Sequence, residues 1–441
     1  MIDGIKDVSV IYTKAMLGIH ASNPAREAME NLSRPFLNTI FVINEVNNTW
    51  SALGNNAKGV LKHEFSTFIL SMKDCDYKKA ASDIIEYRKK FKYELNMPYI
   101  TKYLLDNNIL PLAEKSIKSD YPDDVFRKFE MTGLLMKHGK SKYIYYNLSS
   151  YNIEKVNAIL SAYKDYKYEV FTTQDDYYAY LENTSIPWEG NLTLRRKIAQ
   201  AKAKYLGRAF NENIPLEMEE MQLDRAFYSS ALSKAIDKIN IKTIYKELLI
   251  LSGTVQEESN YNYISEPLRL EYLIALALGK LYGTEGLVSN IIYNEDGTPM
   301  HCAVGNKCDI LLFRQEGSYI IEPTMLCTRA QQENAETTSV ARHAAEEKKK
   351  FNIDFRVAMI APRVHIDVAN YFCYNSFVND VKMTTLSIDR TVGMLSESAN
   401  IQQLNDNFDV LFSCMFNNQK NLEVYIDAVN QYVVDKTIYC E

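Results

Sequence analysis

Between Cys308 and Lys350 the chain reads CDILLFRQEGSYIIEPTMLCTRAQQENAETTSVARHAAEEKKK, which concentrates the side chains best suited to holding a divalent cation. Asp309 and Glu322 sit in two runs rich in Ile, Leu, Phe and Tyr, at 308–314 and 319–326, with Glu316-Gly317 between them as a tight turn. Such runs read as neighbouring strands of one hairpin. With Glu316 and Gly317 at the turn centre, Asp309 faces Thr324 and Leu311 faces Glu322. Side chains alternate along a strand, so Asp309, Glu322 and Thr324 project from one face. The two carboxylates are then diagonal neighbours, with Cα atoms about 7–8 Å apart. A register slip of two keeps them together, whereas a slip of one separates them. Carboxylates so placed can share Mg2+, which takes oxygen ligands at about 2.0–2.1 Å and keeps several waters. An ordinary solvent-facing hairpin edge carries acidic residues too, so the surrounding elements must decide.

Upstream, Ser265 caps a helix running to Tyr282, with Pro267 in its first turn and Gly283 past its end. Glu271 interrupts its apolar stripe of Leu268, Ile274, Ala275 and Leu278. A carboxylate there costs free energy unless a cation or a donor meets it; the plain alternative is a boundary residue reaching Arg269 or solvent. Apolar segments at 287–293 follow, then the hairpin, a helix over 329–350, and an apolar strand at 354–362. The order is helix, three strands, helix, strand. On the second helix Gln332, Glu336, Ser339 and His343 recur at spacings of four, three and four, and so line one face. Facing the hairpin, that stripe can position water or phosphate oxygens; facing solvent, it is an ordinary solvated surface. Lys348, Lys349 and Lys350 read as exposed residues within reach of a phosphate backbone.

These residues at these spacings resemble the AlwI-type family of type IIS restriction endonucleases, which includes PleI- and MlyI-like enzymes and related strand-nicking endonucleases. In that family an Asp in an apolar strand is followed by Glu-Val-Thr, then by a Gln, a Glu and an Arg-His pair on a helix. The matching residues are Asp309, Glu322-Pro323-Thr324, Gln332, Glu336 and Arg342-His343, and the family's helix Glu falls on Glu271 in LRLEYLIAL. The match is clearest over 260–360 and looser at Asn23-Pro24-Ala25-Arg26, 65–70 and 129–148. The resemblance implies a mixed α+β protein with a mainly helical DNA-recognition region and a C-terminal PD-(D/E)xK-type α/β nuclease core in the order αβββαβ. It implies Mg2+-dependent hydrolysis of double-stranded DNA outside the recognised sequence. One or two Mg2+ ions would be held by Glu271, Asp309 and Glu322, with Thr324, Gln332, Glu336 and His343 also in catalytic positions. Two departures stand out. Pro323 replaces the family's Val and cannot donate to a ladder, so its strand must be unpaired on that side or bulged. Thr324 replaces the lysine of the wider superfamily, which leaves activation of the attacking water to His343, to a water held by Gln332, or to the metal alone. Two rival readings are a strand-nicking subunit of a heterodimeric enzyme and a non-catalytic DNA-binding protein with a degenerate nuclease domain.

The first half reads as helical, with helices at 24–46, 58–72, 77–93, 97–107, 111–119 and 122–131. Short aromatic strands at 134–137 and 142–148 follow, flanking His138-Gly139-Lys140. Three helices and a hairpin form a winged-helix arrangement, whose third helix enters the major groove. Arg127 and Lys128 would then meet base edges or phosphate, and Lys137, His138, Lys140 and Lys142 would lie on the wing. A solvated basic hairpin is the plain alternative. A second basic cluster, Arg195, Arg196, Lys197, Lys202, Lys204 and Arg208, lies on a helix at 191–209 and can track phosphates without reading sequence. The expected domains are a helical recognition region at 1–95, a winged-helix-like domain at 96–190, a helical linker at 191–255 entering the nuclease domain through 252–263, and that domain at 256–441. Residues 366–441 read as helical, either packed on the core or forming a dimer surface.

Composition agrees with this picture. A chain of 441 residues with 46% apolar content has room for two or three cores. The net charge of −6 argues against a general nucleic-acid coat protein. Its distribution is uneven: residues 1–255 carry 35 basic and 31 acidic side chains, residues 256–441 only 15 basic against 25 acidic. A basic reader joined to an acidic, metal-dependent cutter has that asymmetry. Seven cysteines without a CxxC pair and six scattered histidines make a zinc module improbable. The absence of a signal peptide or an apolar span predicts reduced thiols in a bacterial-type cytoplasm and no membrane partner. The expected partners are double-stranded DNA and, for double-strand cleavage, a second subunit or a homodimer. Cys308 and Cys327 read as small core residues.

Overall fold

Proline sets the start of the first long buried helix. Pro35 lacks an N–H and fits the first helical position, so the helix is Pro35–Ala52, beginning eleven residues later than the sequence suggests. Asp76 accepts from the Lys79 N–H to start Tyr77–Phe91, and Asn96 does the same for Met97–Asp106. The structure, a computed structural model, describes residues 3–25, 31–139, 143–302 and 307–417. Lys140 and Lys142 lie outside the described residues. Two compact units divide between Phe227 and Tyr228, inside the helix Leu216–Lys238.

In the first unit a three-stranded antiparallel sheet has the order Val60–Leu61, Tyr145–Leu148, Leu135–His138. The helix Tyr121–Glu130 lays Phe126 flat on Tyr146, ring centroids 3.6 Å apart, and Phe65 meets both edge-on. The short edge strand is held by a buried ion pair. Arg88 donates from Nε and Nη2 to the two oxygens of Glu64 at 2.8 and 2.6 Å, and from Nη2 to the Gly59 carbonyl at 2.6 Å. Gly59 has φ +79° and a Cβ there would stand 2.0 Å from the Tyr146 carbonyl oxygen, so the strand's entry requires glycine.

The second unit is built on a five-stranded mixed sheet, in the order Lys382–Ser387, Phe355–Ala361, Ser318–Pro323, Ile310–Leu312, Leu287–Ser289. The first three strands run parallel and the last two pair antiparallel. The apolar run at 287–293 is two strands: after Leu287–Ser289 the chain leaves the sheet, and Ile291–Tyr293 pairs with Pro299–Cys302 as a separate ribbon. One sheet face, carrying Ile310, Leu312, Tyr319, Ile321, Ala358 and Ile360, packs on the helix Glu266–Tyr282. The other, carrying Leu311, Ile320, Val357 and Met359, packs on Val340, Ala341 and Ala344 of the helix Thr338–Phe351. The helix Ile241–Ser252, expected in a linker, shares the first of these cores through Ile244 and Leu248. The strand Lys382–Ser387 corrects an all-helical reading of the chain beyond 366. Its Met383, Thr384, Thr385 and Leu386 are all buried, because helices cover both faces and no polar–apolar alternation survives to mark it.

Candidate active site

Asp309 and Glu322 are brought face to face by the hairpin. Ile310 pairs with Ile321 and Leu311 with Ile320, which sets Asp309 directly opposite Glu322 one step further on. The register is two residues away from the one expected, because residues 313–317 all belong to the connection. Face parity is unchanged by an even slip. The Asp309 N–H donates to Glu322 Oε2 at 3.4 Å. Both carboxylates therefore project on the side of Leu311 and Ile320, beneath the helix Thr338–Phe351. Pro323 sits where a missing donor costs little. Thr324 N–H donates to the Ile360 carbonyl on one side, so the Pro323 nitrogen points to the other, where the partner strand pairs only from Ile310.

The polar helix supplies the rest of the site. Nδ1 of His343 is 2.9 Å from Glu322 Oε1, and both side chains are buried. Thr324 Oγ1 donates to Glu336 Oε1 at 3.0 Å. The helix is not uniform: Arg329–Gln331 is followed by a π-turn at Gln332–Thr337 and then by Thr338–Phe351. Its wider winding separates Gln332 from its expected companions. Gln332 is fully buried, its amide donating to the carbonyls of Leu326 and Arg363 at 2.7 and 2.6 Å and accepting from the His365 N–H at 3.3 Å. It fastens two loops beneath the site. Glu336 and His343 remain at the site, and Ser339 is half-exposed. Glu271 is buried on Glu266–Tyr282, the helix that covers the opposite face of the sheet.

A residue that spacing did not single out also reaches the pair. The chain bends at Lys307 and Asp309 before the strand begins. Consecutive residues therefore need not alternate, and the Cys308 thiol hydrogen-bonds Glu322. Its place next to Asp309 was the only signal in the sequence.

Electrostatics follow from burial. Loss of solvent and then the facing Glu322 push the Asp309 carboxyl well above the ordinary carboxylate range. Burial pushes Glu322 up to about 8, and the charge of Glu336 acts in the same direction. Two carboxyls in contact cannot both ionise easily, so they titrate as a pair that retains a proton near neutrality. Burial lowers His343, with Arg342 adding to the effect, and its Nε2 is buried without a hydrogen-bond partner. Convergent oxygens, from buried Glu322 and half-buried Asp309, that resist ionisation are the donor set a divalent cation would satisfy.

The basic residues of the first unit are less concentrated than their sequence suggests. Arg127 and Lys128 are exposed on Tyr121–Glu130, each beside Asp124. Lys137 and His138 lie half-exposed at the end of their strand. On the helix Leu192–Tyr205, Arg195 is bound by Glu217 and Glu220, Lys197 by Glu154 and Lys202 by Asp224, while Arg208 just beyond meets Glu219. Arg196 is exposed. The acidic run at 217–224 was the available sign that this cluster is largely answered from within.

Among solved structures, the small subunit of the heterodimeric restriction endonuclease R.BspD6I is similar at 19% identity, covering 45% of this chain and 98% of its own, with a TM-score of 0.35. Restriction endonuclease FokI is similar at 12% identity, covering 76% of this chain and 47% of its own, with a TM-score of 0.24. No curated protein matches the chain. No helix among the described residues is long and apolar enough to cross a membrane. The model of the AlwI restriction endonuclease family matches residues 2–389. Spanning both the paired carboxylates and the helix that braces them, that match establishes that the chain belongs to the AlwI restriction endonuclease family and is a type II site-specific deoxyribonuclease.

Proposed function

We propose that the chain is a Mg2+-dependent type IIS enzyme, in which residues of the first unit read DNA sequence and the second unit cuts outside the recognised bases. The observation that carries this reading is the pairing of half-buried Asp309 with buried Glu322, braced by His343. Restriction endonucleases generally use divalent metal ions, and an oxygen-only pair favours Mg2+, one or two per site. Bound there, Mg2+ would supply a water of lowered pKa and neutralise charge on the phosphoryl group.

The chain's own residues do the remaining work. Asp309 and Glu322 would hold the cation; Glu271, which the family pattern adds to the set, would have to reach it from the helix that covers the opposite face of the sheet. His343 holds Glu322 Oε1 in one orientation and, being neutral at neutral pH, can accept a proton from the attacking water. Thr324 orients Glu336 toward the same space, and Gln332 ties the segment after Thr324, at Leu326, to the loop at Arg363–His365. In-line attack would leave 5′-phosphate and 3′-hydroxyl ends.

For sequence reading, the three-stranded order Val60–Leu61, Tyr145–Leu148, Leu135–His138 behind the helix Tyr121–Glu130 supports a winged-helix module. Arg127 and Lys128 would meet DNA from that helix, Lys137 and His138 from the end of the strand Leu135–His138, and Arg196 along the phosphates, with Arg195 beside it if DNA displaces Glu217 and Glu220. Incubating supercoiled plasmid with the protein and Mg2+, then sequencing the ends by run-off, tests the reading. Linear product with both cuts at fixed offsets from one motif supports the type IIS enzyme, acting alone or as a homodimer. Open circles alone indicate a nicking subunit that needs a second chain. Intact plasmid that still shifts on a gel rejects the cutting mechanism.

A further inference from the structure

We propose that Cys308, Glu322 and His343 form a softer cation site that overlaps the Mg2+ position, so that a zinc-like ion bound there switches cleavage off. Its regulatory consequence rests on the Mg2+ reading above; the site itself does not. Among the described residues, one ligand atom from each of these three side chains lies within 4.8 Å of the other two, and all three side chains are buried. The set is one sulfur, one nitrogen and one oxygen. Zinc takes such donors at about 2.3, 2.0 and 2.1 Å in tetrahedral geometry, and three protein ligands leave a fourth position open. Mg2+ does not compete for thiolate or imidazole, since hard cations select oxygen.

The local fold explains why the set exists. In a regular strand Cys308 would point away from Asp309. The bend at 307–309 turns it to the same side, where it joins Leu311, Ile320 and Val340 in one core and its sulfur meets Glu322. The protonated thiol sits against two carboxylates, an environment hostile to thiolate until a dication arrives. On binding, the S–H bond breaks, a metal–sulfur bond forms from that electron pair, and both the thiol proton and the proton shared by the carboxyl pair leave to solvent. Thiolate and carboxylate then balance the 2+ charge, while the neutral His343 contributes a lone pair. Its buried Nε2 already lacks a partner. Glu322 belongs to both sets, so an ion that draws it toward Cys308 and His343 takes it from Asp309 and the Mg2+ position.

The test uses the full chain, stripped of metal by a chelator and titrated with Co2+ alone. A thiolate-to-cobalt charge-transfer band in the near ultraviolet should saturate at one equivalent and be absent in Cys308→Ser, which keeps the side chain's size. Adding Zn2+ to the Mg2+-supported reaction should stop cleavage. Relative to its own rate without zinc, Cys308→Ala should need at least about tenfold more Zn2+ for the same inhibition. No band in the wild-type protein, or equal zinc sensitivity in the variant, would overturn the site. A band without any Mg2+-supported cleavage would leave the soft site standing and reject the nuclease reading; cleavage without a band would do the reverse.

Discussion

Glu322 is asked to be buried, to face Asp309 and to accept His343 at the same time, and its ionisation carries the consequence. With its carboxyl raised from 4.5 to about 8, the folded metal-free protein binds a proton that the unfolded chain has already lost. Stability from this group is therefore fully present below about pH 4.5 and declines as pH rises toward 8. The thermal midpoint of chelator-treated protein should fall over that range, and Mg2+ should raise it more at pH 8 than at pH 6. A midpoint rising with pH would contradict the assignment. Glu322→Gln should flatten the pH dependence, remove the Mg2+ effect and abolish cleavage. His343→Ala, which removes the brace on Oε1, should weaken Mg2+ affinity by about 10–100-fold, measured by titration against thermal stability. At this scale the meeting of Asp309 and Glu322 was legible from residue type and parity. The thiol of Cys308 was not, because only a local break in strand geometry turns it inward.

Elements place these residues through two devices, one of which spacing can reveal. Alternation along a strand survives an even register slip, so the shared face of Asp309 and Glu322 could be read although the turn centre could not. Five connecting residues replace two, and nothing in Arg314-Gln315-Glu316 distinguishes these loop lengths. The π-turn at Gln332–Thr337 is the second device. A constant helical period places Gln332 beside Glu336; the wider turn sends it instead into three backbone hydrogen bonds. Gln332→Ala should leave two buried carbonyls and one N–H unsatisfied and lower stability by about 1–3 kcal/mol, read from denaturant unfolding. An unchanged midpoint would show that these loops do not depend on it. The strand Lys382–Ser387 escaped notice because a strand buried on both faces carries no alternation, and its two threonines suggest surface.

Across the molecule, the uneven charge of the two halves is smaller at the surface than a simple count suggests. Much of the basic excess near Leu192–Tyr205 is neutralised by Glu154, Glu217, Glu220 and Asp224. Arg196 and Lys204 are the exposed residues of that helix left to meet phosphate, while the exposed Arg127 and Lys128 of Tyr121–Glu130 each lie beside Asp124. The first unit also depends on a charge it hides. Arg88→Met would strand Glu64 without a partner beneath the short strand, at a cost of about 3–5 kcal/mol. Specific DNA binding should fail in that variant at temperatures where the wild type still binds, while Mg2+ continues to stabilise the second unit. In the reading proposed above, a cation held by Asp309 and Glu322 in the other unit would cut DNA that the first unit selects. The most direct test of this is to measure plasmid cleavage and gel-shift binding side by side for Asp309→Asn with Mg2+ present. Binding to the specific sequence should match the wild type while cleavage disappears; cleavage at the wild-type rate would contradict the account.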